Sequence, residues 1–128
     1  MVYVYNIAFK IIERGCLVNS LFHYPTNMTF FSTSDRLEIG NIPFISHGSK
    51  PTRSEALEYY RRAAEHFQLP INLYESVQNI EGEDGDFTVL TDKNSYKASK
   101  VVIATGFYET PNKMGIPGEN LPKVKHYY

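Results

Sequence analysis

Among its 128 residues the chain has no tryptophan and a single cysteine, Cys16. One cysteine excludes an internal disulfide and any zinc site built from several thiolates. Net charge is nearly absent: 13 Lys and Arg against 14 Asp and Glu leave a formal −1. That removes the electrostatic case for nucleic acid or for an anionic membrane. No apolar run approaches the roughly 18 residues of a membrane span and no signal peptide is visible, so the expected location is cytoplasmic. The histidines (His23, His47, His66 and His126) lack the i, i+4 spacing of a metal site. Glycine is sparse, and its eight positions nowhere form a G-x-G-x-x-G phosphate-binding turn.

What remains is ordinary for a soluble globular domain, with 42% hydrophobic and 21% charged residues. The length is enough for one domain with a core. Ten Tyr and eight Phe suit contacts with a flat ligand, although aromatic cores are the commoner cause.

The organising stretch is Lys100-Val101-Val102-Ile103-Ala104-Thr105-Gly106. An unbroken apolar run of this length predicts a strand over 100–104, buried on both faces as in a parallel sheet. Ligands of such sheets sit beyond the carboxyl ends of the strands, where Thr105 and Gly106 fall. Phe9-Lys10-Ile11-Ile12-Glu13 predicts a second buried strand that ends in an acid. An acid there hydrogen-bonds ribose hydroxyls in dinucleotide-binding units; the plain alternative is a solvated strand-end carboxylate. Val2 to Tyr5 alternates like a further strand, too close to 9–13 to pair with it in parallel.

Residues 16–50 read as loop, broken by Pro25, Gly40 and Pro43 and dense in aromatics from Phe22 to Phe31. A loop this long is functional or disordered, and this composition is too aromatic for disorder. The aromatics lack the interleaved Lys or Arg of a surface that stacks nucleic-acid bases. A helix follows, opened by Pro51 and a Thr52–Glu55 capping box and closed at Leu69-Pro70. Ala56, Leu57, Tyr60, Ala63, Ala64 and Phe67 form its apolar stripe, with Arg61 and Arg62 outward. Ile71–Tyr74 then predicts a strand parallel to 9–13. Short strands near 76–81, 86–91 and 95–98 predict an antiparallel meander, with turns at Glu81–Gly85 and Asp92–Asn94. The tail from Pro111 is punctuated by turns, Gly115-Ile116-Pro117-Gly118 among them, and carries no element of its own.

The order strand-acid, aromatic loop, helix, strand, meander, strand-Ala-Thr-Gly resembles the flavin domain of flavoproteins with two dinucleotide-binding units. The resemblance becomes specific over Val18–Ser34, and continues through Leu37-Glu38-Ile39-Gly40, Ile42-Pro43-Phe44, Pro51-Thr52-Arg53, Ala56–Arg61 and Val102–Tyr108. These segments are similar to the bacillithiol disulfide reductase family, relatives of thioredoxin reductase without its Cys-x-x-Cys pair. The resemblance spans roughly residues 10–128.

It implies an α/β fold: a three-layer, Rossmann-like FAD-binding domain with an antiparallel β-meander. It implies FAD as cofactor, NADPH as co-substrate and a small-molecule disulfide as substrate. Glu13 is then the ligand of the FAD adenosine ribose, with Arg14 beside it. Asn19, Ser20 and Thr29 line the flavin side, the Val77 backbone meets the adenine, and Thr105 and Gly106 lie near the pyrophosphate and ribityl chain. Cys16, with no partner cysteine and no adjacent acid–base group, is not expected to be a redox centre. The family opens with a strand, a Gly-rich turn and a helix, and carries an inserted NADPH domain; neither is seen in residues 1–128. The chain therefore reads as an internal fragment, a partial FAD-binding domain inactive by itself. A flavin monooxygenase-like fragment and a non-catalytic flavoprotein remnant are the alternatives, and a homo-oligomer is left open.

Overall fold

A computed structural model describes residues 7–106, 108 and 111–126. In chain order its elements are β1 (Ile11–Ile12), α1 (Asn19–Phe22), a 3-10 turn (Ser34–Leu37), α2 (Arg53–His66), β2 (Ile71–Asn72), β3 (Val77–Glu83), β4 (Asp86–Thr91) and β5 (Ser95–Ala98). Two sheets result: a parallel β1–β2 pair and an antiparallel β3-β4-β5 meander. This is the expected mixed α/β architecture.

Helix α2 forms where its capping box places it. The Thr52 hydroxyl accepts the Glu55 N–H, and the Glu55 carboxylate accepts the Thr52 N–H at 2.8 Å. Two otherwise orphaned donors of the first turn are thereby satisfied. Its buried residues are Ala56, Tyr59, Ala63 and Ala64. The expected stripe holds at Ala56, Ala63 and Ala64 and differs elsewhere: Tyr59 is the buried tyrosine, Leu57 and Tyr60 are half-buried, and Phe67 caps the helix and stays 44% exposed. Arg61 and Arg62 are exposed, as expected.

The 16–50 segment is not plain loop, since it contains α1 and the 3-10 turn. Most of its order comes from α2. The Tyr59 O–H donates to the Ile42 carbonyl (2.7 Å) and accepts the Ile39 N–H (2.9 Å); the Tyr60 O–H donates to the Leu37 carbonyl (2.9 Å). The Tyr59 ring stacks on Phe44 with centroids 4.2 Å apart and planes 2° from parallel. Arg53 donates to the Leu21 carbonyl (2.9 Å) and the Phe22 carbonyl, and lies over the Phe22 ring. The core is accordingly Phe44, Ala56 and Tyr59, flanked by Leu21, Phe30, Leu37, Ile42 and Tyr60. Side chains of the helix supply the partners that irregular backbone otherwise lacks.

Strands β1 and β2 pair in parallel, Ile11 opposite Ile71 and Ile12 opposite Asn72, with α2 in the crossover. Both are shorter than expected: β1 is Ile11–Ile12 rather than 9–13, although the Glu13 N–H still donates to the Asn72 carbonyl (2.9 Å), and β2 is Ile71–Asn72 rather than 71–74. In the meander β3 runs on to Glu83, which tightens the expected turn to Asp84-Gly85. Gly82 (φ +105°) and Gly85 (φ +97°) adopt conformations that side chains rarely take. Val89 is the buried residue of β4, with Phe87 and Thr91 half-buried beside it.

The largest departure is 100–104, which is not a strand. Val102 is 87% and Ile103 74% exposed. A strand is defined by its ladder, and among the described residues nothing pairs with this stretch. The tail over 111–126 has no helix or strand; buried Glu119 organises it by accepting the Met114 (2.8 Å) and Gly115 (2.7 Å) N–H groups. The expected alternation at Val2–Tyr5 lies outside the described residues.

Candidate functional site

At the carboxyl end of β1 the chain turns sharply through Glu13, Arg14 and Gly15. The Glu13 carboxylate accepts the Gly15 N–H through Oε1 at 2.7 Å. A side chain on Gly15 would overlap Asn19 Oδ1, so glycine is what allows Asn19 to close over the turn. Asn19 Oδ1 in turn accepts the Cys16 N–H at 3.4 Å and the Cys16 thiol at 3.5 Å. The turn is tied from the other side as well: the Tyr74 N–H donates to the Gly15 carbonyl (3.1 Å) and the Glu75 N–H to the Glu13 carbonyl (3.0 Å). Val18 (φ +60°) and Tyr74 (φ +55°) both adopt left-handed backbone on the flanks of this turn. Each such residue costs on the order of 1–3 kcal/mol and persists only where its surroundings over-determine it.

A cavity of about 200 Å³ is lined by Ser20, Tyr24, Gly106 and Tyr108. The Tyr24 and Tyr108 rings meet edge-on at 4.5 Å, and the Tyr108 O–H donates to the His23 carbonyl at 3.2 Å. Gly106 has φ +63°, and a Cβ there would meet nothing within 4 Å. Its backbone is therefore open to close approach by a ligand. A larger cleft of about 760 Å³ runs between α2 and β2, bordered by Leu17, Arg61, Arg62, Leu69, Ile71 and Leu73. It holds none of the residues expected to bind a cofactor.

The structure places the expected residues unevenly. Ser20 and Gly106, 86 positions apart in the chain, share one cavity, and Asn19 closes over the turn that carries Glu13 and Arg14. Thr105 is exposed beside Gly106. Thr29 lies elsewhere, exposed in an isolated antiparallel bridge with Thr52, and Val77 opens β3 opposite Thr91. Neither lines the cavity or bonds to the turn among the described residues. Tyr24 and Tyr108 belong to segments that carry the family resemblance, yet no sequence signal assigned them a role.

Glu75 was also missed. It is 3% exposed, and its carboxylate accepts from Thr91 Oγ1 (2.6 Å), Tyr96 OH (2.8 Å), Asn72 Nδ2 (2.9 Å) and Asn94 Nδ2 (3.4 Å). Donation by Thr91 foremost, with Tyr96, Asn72 and Asn94 behind it, outweighs burial and lowers its pKa from 4.5 to about 2. The same contact with Glu75 raises the pKa of the Tyr96 phenol. A folded-state pKa below the unfolded value stabilises the fold above the unfolded pKa. Glu75 therefore contributes fully above pH 4.5, and the contribution is lost as pH falls from 4.5 towards 2. Glu55, held down to about 2 by donation from the Thr52 and His47 backbones, acts in the same direction. Urea midpoints should fall between about pH 6 and about pH 3, and Glu75→Gln should flatten but not abolish that slope. An unchanged slope in Glu75→Gln would show that the buried carboxylate is not part of the acid response.

No helix among the described residues is long and apolar enough to cross a membrane. Residues 4–128 match the family described as pyridine nucleotide-disulphide oxidoreductase. The bacilliredoxin reductase Bdr of Bacillus subtilis is 44% identical over 119 residues, which are 92% of this chain and 37% of that protein. The solved bacillithiol disulfide reductase Bdr (YpdA) of Staphylococcus aureus matches with a TM-score of 0.89 at 45% identity, over 93% of this chain and 37% of that one. Its counterpart from Bacillus cereus matches with a TM-score of 0.92 at 41% identity, over 96% and 40%. The chain thus spans well under half the length of these relatives, and the resemblance to bacillithiol disulfide reductases read from residues 10–128 is borne out. With its parallel strand pair, its meander and a family match running from residue 4 to residue 128, the chain belongs to the pyridine nucleotide-disulphide oxidoreductase family.

Proposed function

We propose that this chain carries part of the FAD-binding face of an NADPH-dependent flavoprotein reductase acting on bacillithiol disulfide or a similar low-molecular-weight disulfide. The observation that carries the reading is the state of Glu13. It stands at the carboxyl end of β1; Oε1 holds the turn, and Oε2 has no hydrogen-bond partner among the described residues. That leaves a carboxylate oxygen free to accept from ribose hydroxyls where dinucleotides sit on such sheets.

The residues present fit the cofactor in part. The Ser20–Tyr24–Gly106–Tyr108 cavity, at about 200 Å³, is smaller than the usual ligand pocket. It admits a portion of a dinucleotide, with two aromatic rings and an unhindered glycine backbone as walls. In this reading Arg14 stands beside the ribose ligand, and Asn19, Ser20 and Thr29 serve the flavin side. The Val77 backbone meets the adenine, and Thr105 and Gly106 serve the pyrophosphate and ribityl chain. When bound, FAD supplies the relay of two electrons from NADPH to the disulfide. The chain's own part is to hold the cofactor and keep its orientation. A small-molecule substrate, a cytoplasmic setting and a non-catalytic role for this stretch alone belong to the same reading.

The test is a flavin titration of a chimera that supplies the rest of a full-length relative around this chain. Glu13→Ala removes hydrogen bonds to a charged acceptor, worth roughly 1.5–3 kcal/mol, so FAD affinity should fall about ten- to a hundredfold. Unchanged affinity would remove Glu13 from the site, and a chimera that takes up no flavin would overturn the reading as a whole.

A further inference from the structure

We infer that Glu75 is a positioning residue for the Glu13 turn: it sets the geometry in which the Glu13 carboxylate is presented, although it does not itself reach the ligand. The inference rests on the proposed ribose role of Glu13, and it adds the device that orients that group.

The geometry forms a chain of contacts. The Glu75 N–H is bonded to the Glu13 carbonyl and the Tyr74 N–H to the Gly15 carbonyl, so residues 74–75 clamp both ends of the turn. Residues 74–75 belong to neither sheet, and Tyr74 has left-handed backbone (φ +55°). Something must hold that backbone in place. The Glu75 side chain does so. Its carboxylate is buried, and it gathers donors from β2 (Asn72), the end of β4 (Thr91), the β4–β5 turn (Asn94) and β5 (Tyr96). Asn72 closes the ring by donating to Tyr96 OH as well, at 2.7 Å. The carboxylate thus joins the parallel pair to the meander at the residue that grips Glu13.

A carboxylate is needed here because every neighbour donates. An ionised carboxyl group is acceptor-only and offers two oxygens, whereas an amide of the same shape replaces one of them by a donor. Glu75→Gln would set an N–H₂ against either the Asn72 amide or the Thr91 and Tyr96 hydroxyls. Rotation of the Thr91 hydroxyl towards the Asn94 carbonyl relieves part of this mismatch; the rest loosens the 74–75 backbone, and the turn loosens with it.

Two readouts on the same chimera in its flavin-free form separate this from a general loss of stability. The first needs no ligand: amide exchange at Gly15 and Glu75. In Glu75→Gln both should exchange about tenfold faster or more, while amides in the middle of α2, such as Tyr60, keep their protection. If Glu75→Gln also loses protection in α2, Tyr96→Phe is read instead; it removes one donor, keeps the charge, and should speed Gly15 exchange by a smaller factor. Unchanged Gly15 exchange in the variant that stays folded overturns the inference.

The second readout is the ratio of affinities for ADP and 2′,3′-dideoxy-ADP, which reports the ribose hydroxyls alone. The ratio should exceed one in the wild type and fall towards one in both Glu13→Gln and Glu75→Gln. A wild-type ratio of one sinks the ribose role of Glu13 and leaves the exchange result to judge the positioning. A ratio that falls in Glu13→Gln but not in Glu75→Gln overturns the positioning and leaves the ribose role standing.

Discussion

Tyr59→Ala is expected to leave most of the chain unfolded in dilute buffer. Truncating a buried aromatic costs about 3–5 kcal/mol. Tyr59 is 8% exposed and lies face to face with Phe44, so the full ring contact is lost. Its hydroxyl is also the partner of the Ile39 N–H and the Ile42 carbonyl, and groups stripped of partners cost roughly 1–3 kcal/mol more where water does not replace them. Small domains are typically stable by only about 5–15 kcal/mol. Here the compact core is short of large side chains, since among the described residues Phe44 and Tyr59 are its only big buried residues and Ala56 completes it. The loss is therefore comparable with the whole. Tyr59→Phe keeps the ring, so it should lose only the hydroxyl part, about 1–3 kcal/mol. Circular dichroism with urea titration measures both. A Tyr59→Ala protein that keeps its helix signal and a midpoint near wild type would show that the 37–44 segment does not hang from α2.

The second large effect is self-association. Val102 (87% exposed) and Ile103 (74% exposed) are consecutive, and neither side chain is covered by the described residues. The stretch is therefore wet and apolar. Further along the chain Met114 (75%) and Ile116 (53%) are exposed as well. β1 is bonded only to β2, which leaves its second edge unpaired among the described residues. Apolar strands with open edges recruit others, and the charges that guard against this are few here, Lys10 and Lys100. The chain alone should elute from a sizing column well ahead of a 14.7 kDa monomer, or precipitate as it is concentrated. Val102→Lys with Ile103→Lys should return much of it to the monomer position without changing the α2 signal, because neither side chain is packed. A monodisperse wild-type monomer with slowly exchanging amides at Ile11, Ile12, Val102 and Ile103 would contradict this.

Where backbone chemistry is local, the sequence alone was sufficient. Thr52 and Glu55 sit three residues apart and complete each other's hydrogen bonds, so the start of α2 needs no information from elsewhere. The meander was legible for the same reason: Asp84-Gly85 and Asp92–Asn94 are turn chemistry, and the alternation between them sets the strands to within a residue or two. Parallel pairing of β1 with β2 followed from the helix between them. The acid at Glu13 was visible as a strand-end residue, and it stands at the carboxyl end of β1, where its Oε1 accepts the Gly15 N–H.

The rest was decided in three dimensions. Nothing in the run Lys100–Ala104 distinguishes a strand from an extended apolar segment, because the difference lies in whether a neighbour supplies the ladder. Choosing Tyr59 over Tyr60 for the core depended on where Phe44 and the 39–42 carbonyl and amide groups came to rest. Ser20, Tyr24, Gly106 and Tyr108 meet only because α1 is pinned by Arg53 and the chain returns after the meander. Glu75 gave no signal at all, since a glutamate between two strands reads as solvent-facing until four donors from β2, β4, β5 and a turn converge on it. Caps, turns and alternation involve residues a few positions apart and are written in order along the chain. Ladders, buried polar clusters and cavities join residues tens of positions apart, and only the folded backbone determines which of them meet.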